Sequence, residues 1–323
     1  LRKAWEIMRD QKIDTLAVTS EEDELQGVIT VKDIATANMD LFDTGILAKS
    51  RTSYKNILET LGATMAVGSD FRRFKTQAGL EKGHRVMESV SPSPFDYRNN
   101  CLLYLPQIPP RQRVEDTDVY FNELTAELVG LIKAASGHAL VLFTSYAAMS
   151  AVKERLREES LPFPLLTLGR SFPLFTLGRN AMHMTERFRQ TPGAVLLATG
   201  AAWEGFDFPG DCVSLLIIPR LPFAYPDARK ERELEKYPSL HAFIREVAVP
   251  EMQIKLRQGF GRAIRTESDT CVIAILDERA CRGRRYAQAV SEALPEMRRT
   301  GSLREVTRFL REKKPESYFE VER

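Results

Sequence analysis

The sequence predicts an α/β protein built on a parallel sheet with helices on both faces, preceded by a small α/β segment, and three observations carry that expectation. Short apolar runs without alternation, such as Ala139-Leu140-Val141-Leu142-Phe143 and Val213 to Ile218, have the texture of strands buried on both faces. They alternate with helical patterns, the order of a sheet covered on both sides. The polar clusters of this part fall just after the strand ends, where ligands sit in such sheets.

In chain order, the first segment reads helix, strand, strand, helix. An amphipathic start runs through Trp5, Ile7 and Met8, strands cover Thr15 to Val18 and Leu25 to Thr30, Glu21-Glu22-Asp23 makes the turn, and a helix runs Val31 to Met39. A helical stretch from Asp70 to Leu80 leads to a strand over Cys101 to Leu105, which a proline-rich turn through Pro106, Pro109 and Pro110 closes. The pattern then predicts a helix over Asp118 to Ala135, a strand over Ala139 to Phe143 and a helix over Tyr146 to Glu158. Strands follow at Ala194 to Ala198 and Val213 to Ile218, then a helix through Met252 to Gly259 and a strand at Thr270 to Leu276. A near-exact repeat, Phe163 to Ser171 followed by Phe172 to Asn180, is too short for a solenoid. One copy is expected to supply a strand and the other to loop out.

Composition is that of an ordinary globular chain: 323 residues, 43% hydrophobic, 28% charged, with a formal charge of +2. Bulk charge therefore does not argue for a nucleic-acid partner, and a binding surface must be local. Residues 1–67 carry about three net negative charges and the remainder about five net positive, which hints at two segments of different origin. The nearest two of the four cysteines, Cys271 and Cys281, are ten positions apart, against two to four for the usual ligand pairs, so no metal site is expected. No histidine pair has ligand spacing. There is no run of 18 apolar residues and no basic-plus-apolar leader, so a cytoplasmic protein with no membrane partner is expected. The start at Leu1, inside a helical pattern, predicts a fragment of something longer.

Five clusters carry chemistry. In Gln258-Gly259-Phe260-Gly261-Arg262-Ala263-Ile264-Arg265, helical spacing puts Gln258, Arg262 and Arg265 on one face, suited to a phosphate. Its two glycines cost a helix roughly 1 kcal/mol each, which implies close approach of another backbone or a ligand. Thr144 and Ser145 end a strand where a helix begins, a place for an N-cap or a phosphate contact. Thr199 to Gly210 joins small residues to the acceptors Glu204 and Asp207, and Pro219-Arg220-Leu221-Pro222-Phe223 puts a cation and an aromatic at another strand end. Thr30 and Asp33 form a capping pair at the second strand's exit. Arg111, Arg113, Arg282, Arg284 and Arg285 are candidates for phosphate contact or simple solvation.

Taken together, Leu-Phe-Thr-Ser-Tyr, Trp-Glu-Gly-x-Asp-Phe-Pro-Gly, Ile-Ile-Pro-Arg-Leu-Pro-Phe and Gln-Gly-Phe-Gly-Arg-Ala-Ile-Arg occur in an order that resembles the second RecA-like domain of superfamily-two helicases of the DinG and XPD type. The resemblance covers residues 69–323 and implies a RecA-like α/β fold. It implies that Arg262 and Arg265 are arginine fingers toward ATP held on a first domain, with Gln258 beside the nucleotide. Glu204, Gly205 and Asp207 would belong to the ATP site, and Thr144, Ser145, Thr199 and Arg220 would meet single-stranded DNA. ATP and Mg2+ would both need an N-terminal helicase domain, because no Gly-x-x-x-x-Gly-Lys-Thr/Ser loop and no Asp-Glu-Ala-His box occurs in the sequence. Residues 1–68 resemble the CBS-containing insert of manganese-dependent inorganic pyrophosphatases, whose Gly-x-x-Thr-x-x-Asp would place an adenine nucleotide at Thr30 and Asp33. Two functions are thus expected in competition: the C-terminal motor half of an ATP-dependent DNA helicase, or a nucleotide-sensing CBS regulatory module without catalysis.

Overall fold

The computed structural model describes residues 15–19, 25–30, 93, 95–110, 117–168, 183–203, 208, 210–225, 228–264 and 266–320. Contacts divide the chain into two compact units, Leu1–Ser89 and Val90–Arg323. In the first, strands β1 (Thr15–Thr19) and β2 (Leu25–Thr30) pair antiparallel, with Thr15 opposite Thr30 and an irregularity at Val18/Thr19. The helices expected through Trp5 and over Val31–Met39 and Asp70–Leu80 lie outside the described residues.

The second unit begins with the single turn α1 (Tyr97–Asn100) and strand β3 (Cys101–Tyr104), followed by α2 (Thr117–Ala134), β4 (Ala139–Phe143), α3 (Tyr146–Glu158) and β5 (Leu165–Leu168). Residues 183–190 form α4, and β6 (Val195–Thr199) and β7 (Leu215–Ile218) follow. Helices α5 (Ala228–Leu234), α6 (Leu240–Phe243) and α7 (Val249–Phe260) precede β8 (Cys271–Ile275). The described chain ends with α8 (Ala287–Ala293), β9 (Arg298–Thr300), α9 (Leu303–Lys313) and α10 (Glu316–Phe319). The seven strands form one sheet in the order β5-β6-β4-β7-β8-β3-β9, every neighbouring pair parallel.

The sheet exists because its central strands can be buried on both faces. Every residue of β3, β4, β7 and β8 is buried, and each fully buried Leu, Ile or Val contributes roughly 1.5–3 kcal/mol relative to exposure. One face packs on α2, α3 and α9 through Leu128, Leu131, Val152, Leu156, Val306 and Phe309. The first repeat copy supplies β5, as expected, while the second lies outside the described residues. Strand β7 starts at Leu215 rather than Val213, because Gly210, at φ 70°, opens a tight turn that winds through Val213. The edge strand β9 was not expected from the pattern, since Arg298 and Arg299 are exposed and give no apolar signal.

At the sheet's amino edge, Ser136, Gly137 and His138 have φ of 47°, 79° and 42° and turn the end of α2 into β4. A Cβ on Gly137 would stand 1.8 Å from the Gly193 carbonyl oxygen, so only glycine fits. His138 accepts the Gly193 N–H on Nε2 at 3.2 Å, places Nδ1 3.2 Å from the Ala135 carbonyl, and stacks on Tyr318 at 4.2 Å between centroids. That pattern requires the neutral ring, and burial holds the His138 pKa below its ordinary 6.5. A depressed folded-state pKa gives stability that is present above about pH 6.5 and lost as pH falls through the window below it. Urea midpoints measured from about pH 7 down to pH 5 should therefore fall more steeply for the parent chain than for His138→Gln, and parallel profiles would refute the account.

Candidate functional site

The carboxyl edge of the sheet gathers the polar clusters of the second unit. Strand β4 ends at Phe143, and Thr144 and Ser145 follow, both exposed. Ser145 Oγ accepts the Ala148 N–H at 3.1 Å and caps α3, as the N-cap reading of this pair requires. Next to it, Thr199 ends β6 in register with Phe143 and is half-buried.

Beyond Thr199 the chain winds through the tight turn Gly200–Trp203 and buries Trp203. Its indole Nε1–H donates to the Phe143 carbonyl at 2.9 Å, tying the exit of β6 to the exit of β4. The ring packs against α7: a Cβ on Gly259 would stand 2.8 and 2.9 Å from two of its carbons, and the Lys255 ammonium sits 5.7 Å from a ring centroid. This corrects the expectation for the two glycines. What stands against Gly259 is the Trp203 indole, with the Leu142 side chain beside it, rather than another backbone, and a Cβ on Gly261 would meet nothing closer than 3.5 Å.

The expected single helical face is also corrected. Helix α7 ends at Phe260, and the chain continues in tighter turns closed by Arg262 N–H to Gly259 C=O at 3.0 Å and Ala263 N–H to Phe260 C=O at 2.9 Å. The reason is local: Gly261 is a poor helix former, and it stands here as the C-cap. Gln258 therefore occupies the last turn of α7, and Arg262 the turn beyond it, both half-buried. Arg265, Glu204, Gly205 and Asp207 lie outside the described residues, as do Asp33, Arg111 and Arg113.

Arg220 follows β7 and lines a cleft of about 120 Å³ with Pro110, Tyr120, Asp277 and Arg279. Asp277 is the feature that sequence reasoning missed. Its buried carboxylate accepts the Leu221 N–H at 2.9 Å and the Arg279 guanidinium at 2.9 and 2.6 Å. Burial pushes the Asp277 pKa up, but the bonds and charge of Arg279 outweigh it and leave the carboxyl below its ordinary value. The guanidinium lies 5.3 Å from the Phe223 ring and 5.8 Å from that of Tyr286. An Asp-x-Arg directly after the strand Thr270 to Leu276 was the available signal. Arg282, Arg284 and Arg285 follow, with Arg285 5.3 Å from the Tyr286 ring.

Burial disfavours the thiolate at each cysteine. All four are free, Cys101 and Cys271 face each other in register and fully buried, and burial pushes the Cys101 thiol up to about 12 and that of Cys212 up to about 11. Among the described residues no three His, Cys, Asp or Glu side chains are grouped to hold a metal ion, and no helix is long and apolar enough to cross a membrane.

A family model, the helicase C-terminal domain, matches residues 128–297, more than half of the chain. The chain belongs to the helicase C-terminal domain family. The helicase C-terminal domain is thus the setting of the arginine turn, the Trp203 turn and the Arg220 loop, as the four motifs had implied. Relatives include the ATP-dependent DNA helicase YoaA of Haemophilus influenzae, 33% identical over 262 residues, covering 78% of this chain and 37% of that protein. The ATP-dependent helicase DinG of Mycobacterium tuberculosis is 29% identical over 291 residues, covering 88% of this chain and 40% of its own length. The chain thus spans well under half of the length of these relatives. Among solved structures, an XPD helicase overlaps with a TM-score of 0.45 at 15% identity, over 62% of this chain and 35% of that one. A CBS domain model matches residues 1–40.

Proposed function

We propose that this helicase C-terminal domain is the second motor half of an ATP-dependent DNA helicase, working on ATP held by an N-terminal RecA-like domain. The observation that carries the reading is the end of α7, a helix fixed on Trp203, where Gln258 lies in the last turn and Arg262 in the tight turn that follows it. An amide and a guanidinium fit the phosphate side of a nucleotide without cradling it. In this reading Arg262 and Arg265 are the arginine fingers, Glu204, Gly205 and Asp207 complete this side of the ATP site, and Mg2+ is held by the other domain. ATP supplies the phosphoryl group whose developing charge the guanidinium groups stabilise. Thr144, Ser145, Thr199 and Arg220 follow neighbouring strand ends and meet the backbone of single-stranded DNA. The same reading assigns residues 69–323 to the motor and 1–68 to a CBS-like partial module, in a cytoplasmic protein.

ATP turnover tests it. The chain alone should show little hydrolysis, and adding a RecA-like domain that carries the phosphate loop should give DNA-stimulated turnover. Robust turnover by the chain alone would sink the proposal. The CBS match favours a second reading, in which Thr30, at the end of β2, and Asp33 bind an adenine nucleotide. Calorimetric titration with AMP separates the two: tight binding that Thr30→Ala abolishes supports the second.

A further inference from the structure

We infer that the loop Pro219–Tyr225 is a preformed single-strand-binding element, in which Tyr225 stacks a nucleobase while Arg220 holds a neighbouring phosphate; the inference rests on the nucleic-acid reading above. The loop is fastened at its middle. Leu221 is 2% exposed and gives its N–H to the buried Asp277 carboxylate, and Phe223 N–H returns to the Leu221 carbonyl at 2.8 Å. The Phe223 ring packs on Tyr286 at 4.8 Å between centroids, and the Arg279 guanidinium, fixed by Asp277, covers both rings. Two residues beyond this clamp, Tyr225 is 87% exposed, the most exposed aromatic side chain among the described residues.

A loop fastened at Leu221 and Phe223 has met part of the ordering cost of binding, and a two-torsion ring two residues on adds little more. What such a ring fits is set by its surroundings. Arg220 stands on the same loop, and Arg279, Arg282, Arg284 and Arg285 follow the exit of the adjacent strand β8. The ring of Phe223 is roofed by the Arg279 guanidinium, itself paired with Asp277, so Tyr225 is the loop's one bare ring, on a loop that also carries Arg220. Sequence-tolerant binding of single strands uses that combination, a cationic track for the backbone and aromatic faces for the bases.

Fluorescence anisotropy of the full chain with labelled oligothymidylate, and with an abasic deoxyribose-phosphate chain of equal length, tests the loop. Tyr225→Ala should weaken oligothymidylate binding roughly five- to a hundredfold and leave the abasic chain unaffected. Tyr225→Phe, which keeps the ring, should bind as the parent does. Arg220→Ala should weaken both ligands and reduce the slope of log K against log salt by about 0.7, whereas Tyr225→Ala leaves that slope unchanged. Unaltered oligothymidylate binding by Tyr225→Ala, or equal weakening on the abasic chain, would overturn the inference while the nucleic-acid reading stands. Failure of the parent chain to bind either ligand would overturn that reading, and the role of the loop with it.

Discussion

Replacing Arg262 by alanine, in this chain assembled with a RecA-like domain carrying the phosphate loop, should lower DNA-stimulated ATP hydrolysis by on the order of a thousandfold or more. The size follows from the role proposed for the guanidinium and from the backbone that carries it. Arg262 lies in a short turn whose backbone is closed on Gly259 and Phe260, at the end of a helix held against a buried indole. A donor held in place before the reaction needs no reorganisation as charge develops on the phosphoryl group. Arg262→Lys keeps the charge but loses the fork, so it should recover only part of the rate. Affinity for single-stranded DNA should stay at the parent value in both variants. A loss below tenfold, or a parallel loss of DNA affinity, would remove Arg262 from the role of finger.

The second large effect is one of stability. Alanine is a better helix former than glycine by roughly 1 kcal/mol, so Gly259→Ala on an open helix face would be a gain. Here the added methyl meets the Trp203 ring at 2.8 Å and the Leu142 side chain at 3.3 Å, and overpacking of this kind typically costs about 1–3 kcal/mol. Removing the ring instead, as Trp203→Ala, should cost about 3–5 kcal/mol through lost burial and a cavity. The two changes should not add. In the Trp203→Ala background Gly259→Ala should be neutral or stabilising, because the obstruction is gone. Urea titrations of the four chains close this cycle, and additive losses would show that the Gly259–Trp203 contact does not govern this helix.

Part of this arrangement was legible in the residues themselves. Strand Ala139–Phe143 and helix Tyr146–Glu158 are legible to the residue, because a fully buried apolar run meets a serine that caps the next helix. The end of α7 is not legible: spacing places Gln258, Arg262 and Arg265 on one face only if the helix continues past Gly261, and Gly259, which as a pattern implies another backbone or a ligand, instead makes room for Trp203, 56 positions earlier in the chain. A contact at that separation leaves no local periodicity. The same holds for Asp277, whose partner Leu221 lies 56 positions away, and for β9, which joins the sheet through its backbone while its arginines face water. Patterns reveal what a segment does with its own neighbours; they do not reveal which distant segment fills the space.

The sheet order also bears on how the chain is made. Strand β3 is the first of the seven to leave the ribosome, yet its two neighbours are β8 and β9, the last. About 170 residues separate Tyr104 from Cys271, so at about 5–20 residues per second β3 waits on the order of ten seconds for its first partner. During that interval Cys101 to Tyr104, apolar and buried in the finished sheet, has no strand to pair with and is exposed to non-native association. Strands β4, β6 and β5 can meanwhile pair without it, so the half of the sheet that carries Thr144 and Thr199 can assemble before the half that carries Asp277 has been translated.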